Sequence, residues 1–128
     1  MRTRFPFAFE PRLVPFSALF GVTPRTAWVD VDDDDLTVRF GPWRLATPRR
    51  NIVEGQLTGP YQFAKVAGPA HLSFADRGVT FATTTRRGVC FALRDPVPGI
   101  DPFGRLRHPG VTVTVAEPER LLEVAPLR

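Results

Sequence analysis

Arginine pairs are the residues of this chain whose type and spacing most directly suggest chemistry. They fall into three groups: Arg49 and Arg50, Arg86 and Arg87, and Arg105 and Arg107. A guanidinium offers a planar fork of donors that matches a phosphate or a carboxylate with two parallel hydrogen bonds. We therefore take these arginines as candidate anion-binding residues, provided that folding brings two of the groups together. The alternative is that they are turn residues with solvated charge.

An acidic run supplies a second charged cluster. Asp30 is followed closely by four consecutive aspartates, Asp32 to Asp35. A calcium loop needs ligands at spaced positions and a glycine at its sharp turn, and this run has neither. Aspartate is common in tight turns because its carboxylate bonds to the backbone two residues on. We therefore expect a solvated hairpin tip, at which the negative charge repels phosphate.

Reactive side chains are few. Cys90 is the one cysteine, so an internal disulfide is excluded. His71 and His108 do not have the spacing that would make a zinc site with it. The sequence also lacks a G-x-S-x-G nucleophile turn and a glycine-rich phosphate loop that opens a helix. We therefore expect no catalytic residue, no metal and no cofactor.

The charge balance is a weak guide to partners. The 128 residues carry a net charge of +4, and Lys65 is the one lysine, so the basic residues are almost all arginine. This arginine bias is typical of a GC-rich genome and does not by itself indicate a polyanion as partner. Nucleic-acid binding would need exposed aromatic residues between the charges. Because we expect Trp43 and Phe103 to pack inward, we do not expect nucleic acid as a partner.

The N-terminal part does not have the pattern of a targeting segment. Arg2 and Arg4 precede an apolar stretch at 13–22, but Glu10, Arg12 and Pro15 interrupt the hydrophobic region. No run approaches the roughly 20 apolar residues of a membrane span. We expect a cytoplasmic protein without a signal peptide or a transmembrane segment.

Alternating polarity between proline and glycine turns predicts a mostly β domain. The predicted strands are Thr26–Val31, Leu36–Phe40, Trp43–Thr47, Ile52–Thr58, a short one at Leu72–Phe74, Val79–Thr83, Val89–Leu93 and Val111–Val115. Phe5, Phe7 and Phe9 indicate an edge strand, since Pro6 cannot donate to a central ladder. Trp28 is expected to anchor the core.

The end of the chain predicts a short helix. Glu117 and Glu119 flank Pro118, and a proline with acidic neighbours is favoured in the first helical turn. Leu121, Leu122 and Ala125 would form its apolar face. Such a short helix is not stable alone, so it must pack on the sheet.

Several stretches resemble a known family. They are Leu36–Leu45 (LTVRFGPWRL), Asp76–Phe81 (DRGVTF), Arg87–Phe91 (RGVCF), Pro96–Pro102 (PVPGIDP) and Leu106–Gly110 (LRHPG). The amino-acid sequence of these segments resembles that of an uncharacterised actinobacterial protein family with a pleckstrin-homology-like barrel. The resemblance implies a mostly β, PH-like antiparallel barrel or sandwich of about seven or more short strands with a short C-terminal helix. It implies no activity.

We expect one domain over residues 1–128, with a core at 25–128. Residues 1–24 are expected to pack on the barrel as an extension or to exchange onto a neighbouring molecule. Asp95–Gly110 is predicted to be a long connection that forms a packed loop, a lid or a partner surface. The candidate partner-surface residues in it are Val97, Ile100, Phe103 and Leu106.

Three functions follow from these patterns. The first and preferred one is a non-catalytic interaction module that binds a protein partner or a second copy of itself through a strand edge or the 95–110 connection. The second is binding of an anionic membrane surface or a small anionic ligand through the arginine pairs. The third and most remote is a small enzyme that uses Cys90 and a histidine.

Overall fold

The computed structural model describes residues 2–59, 71–72, 78–99 and 106–126, with residues 71–72 described in their backbone alone. The first sheet contains β1 (Thr3–Pro6), β2 (Ala27–Val31), β3 (Asp35–Phe40) and β4 (Trp43–Pro48). The second contains β5 (Ile52–Thr58), β6 (His71–Leu72), β7 (Val79–Phe81), β8 (Gly88–Pro98) and β9 (Arg107–Val113). The described helices are α1 (Val14–Leu19) and α2 (Pro118–Val124), with 3-10 turns at Pro11–Leu13 and Arg49–Asn51.

The first sheet is an antiparallel meander in the order β1-β2-β3-β4. Along β2 the residues Ala27, Val29 and Val31 are buried, while Trp28 and Asp30 lie on the opposite face. Because successive side chains of a strand point to opposite faces, this alternation assigns one face of the sheet to the core and the other to solvent. The expectation that Trp28 anchors the core is therefore wrong.

The second sheet has the order β5-β8-β9-β7-β6. Its neighbouring strands are antiparallel except β7 and β9, which run parallel. In the described residues, an isolated bridge between Phe7 and Val115 is the backbone pairing that connects the two sheets. The mostly β fold and the C-terminal helix are confirmed. Of the expected barrel or sandwich, the barrel is not formed, since the described strands make two sheets that do not close on each other, and the PH-like architecture stays a prediction.

Phenylalanine rings occupy the centre of the core between the sheets. The ring of Phe40 lies 5.2 Å from that of Phe7 and 5.3 Å from that of Phe81, and the planes are tilted. These residues come from the first sheet, from the segment after β1 and from the second sheet. Tilted aromatic pairs at this distance add about 0.5–1.5 kcal/mol each beyond the burial of their area.

Helix α2 packs against the second sheet, as its apolar face predicts. Leu121 and Ala125 are buried, and Leu122 lies over β5. A Cβ atom at Gly55 would be 2.7 Å from Leu122 Cδ1, so the absence of a side chain at this position allows the helix to approach the strand. Pro118 begins the helix in the position where its missing N–H costs nothing.

Both ends of the 95–110 connection belong to strands. Strand β8 continues to Pro98 and β9 begins at Arg107, so that Val97 pairs with His108. The register between β8 and β9 shifts between Ala92 and Val97, which marks a bulge in β8. The expectation of a long connection starting at Asp95 is therefore wrong for the residues on either side of 100–105.

The segment before β2 packs against the rest of the same chain. Phe5 and Leu13 are fully buried, and the backbone N–H of Glu10 donates to the carbonyl of Thr83. The Glu10 carboxylate accepts hydrogen bonds from the Thr84 hydroxyl, from the Thr85 hydroxyl and backbone N–H, and from Arg12. These hydrogen bonds, first of all those from Thr85, lower the pKa of Glu10 to about 2.

This carboxylate predicts a specific pH dependence of stability. The folded-state pKa of Glu10 lies below its ordinary value of 4.5, so its contribution is complete above that value and is lost as the pH falls through about 2. We expect Glu10→Gln to lower the free energy of unfolding by about 1–3 kcal/mol near neutral pH and to flatten its acid dependence. Denaturant unfolding across this pH range measures both effects.

Glu123→Gln, on the exposed side of α2, is the matched control and should change neither quantity. An acid dependence of the Glu10→Gln protein equal to that of the parent chain would contradict this role of Glu10.

Candidate functional site

Arg49 has a structural position in the fold. Its guanidinium donates to five backbone carbonyls, namely those of Asp32, Asp33, Val124, Ala125 and Pro126, at 2.7–3.4 Å. Three of these carbonyls lie at the C-terminal end of α2 and two at the tip of the β2–β3 hairpin. Because every nitrogen of the group already has an acceptor, Arg49 has little capacity to bind an external anion.

The other arginines of the predicted groups do not converge with Arg49. Arg87 pairs with Glu119 in the first turn of α2, so it lies at the opposite end of that helix from Arg49. Arg86 and Arg107 are exposed, the latter in β9. Arg105 lies outside the described residues. The structure thus places Arg49 and Arg87 apart, and anion binding by these groups stays a prediction.

Two of the predicted residues do meet, although they come from different predicted sites. Arg50 and Val97 line one cleft of about 230 Å³ together with Pro48, Asn51, Arg94 and Asp95. We call this the bulge cleft, because its wall is the bulged part of β8. Leu106 is half-buried just before β9, while Ile100 and Phe103 lie outside the described residues.

A second candidate site lies on the solvent face of the first sheet. Trp28 of β2 stands directly opposite Arg39 of β3, and Arg39 stands directly opposite Arg44 of β4. Directly paired residues of an antiparallel sheet share one face with their Cβ atoms about 5 Å apart. One tryptophan and two arginines therefore form a continuous row across three strands.

A second row extends the charge of this face. Arg4 pairs with Asp30, and its guanidinium donates to both carboxylate oxygens at 2.8 and 3.0 Å. The same guanidinium lies 4.3 Å from the centre of the Trp28 ring, and that of Arg39 lies 5.9 Å from it. The hydrogen bond to Asp30 raises the pKa of Arg4. Arginine is in any case protonated at neutral pH, so the group over the indole is a cation.

These residues enclose a shallow groove of about 290 Å³, which we call the Trp28 face. Its lining residues are Arg2, Arg4, Trp28, Asp30, Asp32, Thr37, Arg39 and Arg44. Four arginines stand against two aspartates, which leaves two positive charges in excess. The Asp32 carboxylate is turned to its own hairpin, where it accepts the backbone N–H groups of Asp34 and Asp35. These hydrogen bonds lower the pKa of Asp32.

The two inner arginines differ in what they already bind. Arg39 uses Nε to donate to the carbonyl of Gly41 at 2.6 Å, and its two terminal nitrogens have no hydrogen-bond acceptor among the described residues. Arg44 is exposed and has no hydrogen bond or ion pair with any residue that the structure describes. Gly41 has a φ of +59° and lies in the two-residue turn that fixes this register, where a Cβ atom would clash with Gly21.

The aspartate run forms the predicted hairpin tip between β2 and β3. Within the described ranges, no three side chains of histidine, cysteine, aspartate and glutamate come together as ligands for a metal ion. Cys90 is a free thiol in the middle of β8, opposite Thr112 of β9, and His108 is fully buried in β9. His71 is described in its backbone alone.

Comparison with known proteins returns no match: neither a family model, nor a curated protein, nor a solved structure is similar to this chain. In the described part of the chain, no helix has the length and apolarity that crossing a membrane requires. The resemblance to the actinobacterial PH-like family and the cytoplasmic location stay predictions.

The position of Arg49 leads to a prediction about stability. Replacing Arg49 with Gln leaves the carbonyls at the end of α2 and at the hairpin tip without their common donor. Because hydrogen bonds to a charged group are worth about 1.5–3 kcal/mol, we expect the free energy of unfolding to fall by about 2–4 kcal/mol. The neighbouring Arg50→Gln, at an exposed position, should change it by less than about 0.5 kcal/mol. Equal stabilities of the two variants would contradict the structural role of Arg49.

Proposed function

We propose that this protein is a non-catalytic binding module that takes a phosphate-bearing ligand with a planar ring on the Trp28 face. The observation that carries the proposal is the in-register pair Arg39 and Arg44 beside the half-exposed Trp28. The anion binder is thus favoured over the other functions considered for the chain, although the arginines involved are different from those of the predicted groups.

Electrostatic repulsion supports an anion at this place. Like charges directly opposite each other on neighbouring strands destabilise a sheet. Arg39 and Arg44 are such a pair, and Arg44 has no carboxylate partner among the described residues to offset the cost. A phosphate between the two guanidinium groups would accept charge-assisted hydrogen bonds from both. The bound anion would thereby remove the repulsion.

Trp28 adds affinity for a flat group. An indole with cations close by is a stacking surface for a planar ring, and arginine guanidinium planes stack on bases in the same way. Because Arg4 already lies over the indole and is held there by its salt bridge to Asp30, the planar ligand would stack on the guanidinium plane of Arg4, and little conformational entropy is lost in ordering that side chain. A phosphorylated nucleoside is the simplest ligand that combines both groups.

The chemistry of the lining favours binding over catalysis. Among the described residues, the Trp28 face contains neither a cysteine nor a histidine, and its carboxylates at Asp30 and Asp32 are occupied by Arg4 and by backbone N–H groups. Arginine is always protonated at neutral pH and does not exchange protons during a reaction. The groups present can hold and orient an anion.

The PH-like relationship remains part of the proposal. Support comes from the order of elements, since a meander of short strands precedes a second sheet and a C-terminal helix ends the described chain. In that arrangement the ligand surface proposed here is the outer face of the first sheet and not the acidic β2–β3 hairpin tip.

Removing Arg44 tests the proposal. In a Trp43→Phe background, Trp28 is the one tryptophan left, so its fluorescence reports on the groove. We expect adenosine monophosphate to quench this fluorescence saturably, and adenosine or inorganic phosphate alone to bind more weakly. Arg44→Gln should weaken binding of adenosine monophosphate about tenfold, because one charge-assisted contact is lost.

Arg107→Gln on the second sheet is the matched control and should leave the affinity unchanged. Vesicles containing an anionic lipid distinguish a headgroup phosphate from a free one. Salt-sensitive binding to those vesicles, together with weak binding of the nucleotide, would make the lipid the source. Equal affinity of the Arg44→Gln and parent chains for every anion would contradict the proposal.

A further inference from the structure

The bulge cleft carries an inference that is independent of the Trp28 face. It lies at the seam where the first sheet ends at Pro48 and the second begins after the Arg49–Asn51 turn. Its opposite wall is the part of β8 around Arg94 and Asp95, where pairing with β9 is interrupted. Bulges are frequent beside functional sites because they redirect side chains away from the ladder.

Asn51 makes the cleft rigid. Its side chain is buried and donates from Nδ2 to the Thr47 hydroxyl at 3.0 Å and to the Asp95 carbonyl at 2.8 Å. Its Oδ1 accepts the backbone N–H of Asp95 at 2.8 Å. One side chain thus fixes the bulge residue at both its backbone groups. The side chains on the bulge are therefore presented from a fixed backbone.

Two arginines flank this fixed backbone. Arg50 and Arg94 are exposed, and neither forms a hydrogen bond or an ion pair with any described residue. The carboxylate of Asp95 is exposed in the same cleft and also lacks such a partner among the described residues. The lining therefore offers two sets of guanidinium donors, one acceptor carboxylate and one net positive charge.

The remaining walls are apolar, and the cleft is small. Pro48 and Val97 are half-buried on its two sides. The cleft has a volume of about 230 Å³. It suits one or two side chains of a longer ligand. A densely charged phosphate would be repelled by Asp95, whereas a peptide also supplies N–H groups that a carboxylate accepts.

We infer that the bulge cleft docks a protein segment in which an acidic residue is next to an apolar one. The carboxylate of the segment is held by Arg50 and Arg94, its apolar side chain lies between Pro48 and Val97, and its backbone N–H donates to Asp95. This surface overlaps at Val97 with the partner surface predicted from the sequence.

A peptide titration followed by amide resonances of the full chain tests the inference. The probes are blocked peptides with the central sequence Glu-Leu-Glu and the matched Gln-Leu-Gln, at concentrations up to about 1 mM. We expect the acidic peptide to shift the amides of Asn51, Asp95 and Val97 saturably and to bind at least about fivefold more tightly than the neutral one.

Variants that are expected to change the affinity in opposite directions separate an effect on binding from a loss of folding. Arg94→Gln and Arg50→Gln should each weaken the acidic peptide about fivefold to tenfold, whereas Asp95→Asn should tighten it severalfold by removing repulsion. Arg25→Gln, in the turn before β2, is the control and should leave its affinity unchanged. Thermal unfolding checks that the variants are folded.

Three results would overturn the inference. They are equal affinity for the acidic and neutral peptides, shifts confined to the Trp28 face, and an Arg50→Gln/Arg94→Gln chain that binds as the parent does. None of them bears on nucleotide binding by Arg44, so the two proposals fail separately.

Discussion

The hydrogen bonds of the Arg49 guanidinium hold together helix α2, the β2–β3 hairpin and the start of the second sheet. Helix α2 has seven residues and is too short to be stable by itself. Its last carbonyls and those of the β2–β3 tip share this one side chain as their donor, and the Arg49 backbone N–H also donates to the carbonyl of Asp34. The helix, the hairpin and the connection from β4 to β5 are thereby held in one place. A half-buried cation that satisfies five carbonyls is costly to remove because the acceptors lose their partner together.

The described arginines discussed above consequently have two different tasks. The donors of Arg49 are used in hydrogen bonds to backbone carbonyls, and Arg4 and Arg87 are paired with carboxylates. Arg44 on the Trp28 face and Arg94 in the bulge cleft remain exposed without partners in the described part of the chain. A net charge of +4 says nothing about this division, which depends on contacts between distant parts of the chain. The unpaired guanidinium groups and the side chains next to them are therefore the groups available to bind a ligand.

Much of the fold follows from local patterns, whereas the sites follow only in part. Alternating polarity predicts β2 to β4 almost to the residue, because one buried face imposes a period of two. The same rule would have placed Trp28 correctly. Asp30 is two residues further along the strand and therefore points to the same face as Trp28, and an aspartate belongs on the solvent face. The short turn at Gly41 likewise implies that Arg39 and Arg44 pair.

In contrast, the carbonyl partners of Arg49 at the end of α2 lie 75–77 positions away, and no local sequence pattern indicates such a contact. The same holds for Asn51 and Asp95, which meet across the seam between the sheets.

The division of the arginines between structural and ligand-binding roles can be observed by NMR. Arginine Nε–Hε resonances of the isotope-labelled chain can be followed during a titration with adenosine monophosphate. We expect the signals of Arg39 and Arg44 to move saturably while that of Arg49 stays in place, since every nitrogen of Arg49 already donates to backbone carbonyls, whereas Arg39 uses only Nε in this way and Arg44 none. A shift of Arg49 comparable to that of Arg44, or a titration in which neither Arg39 nor Arg44 responds, would contradict this division.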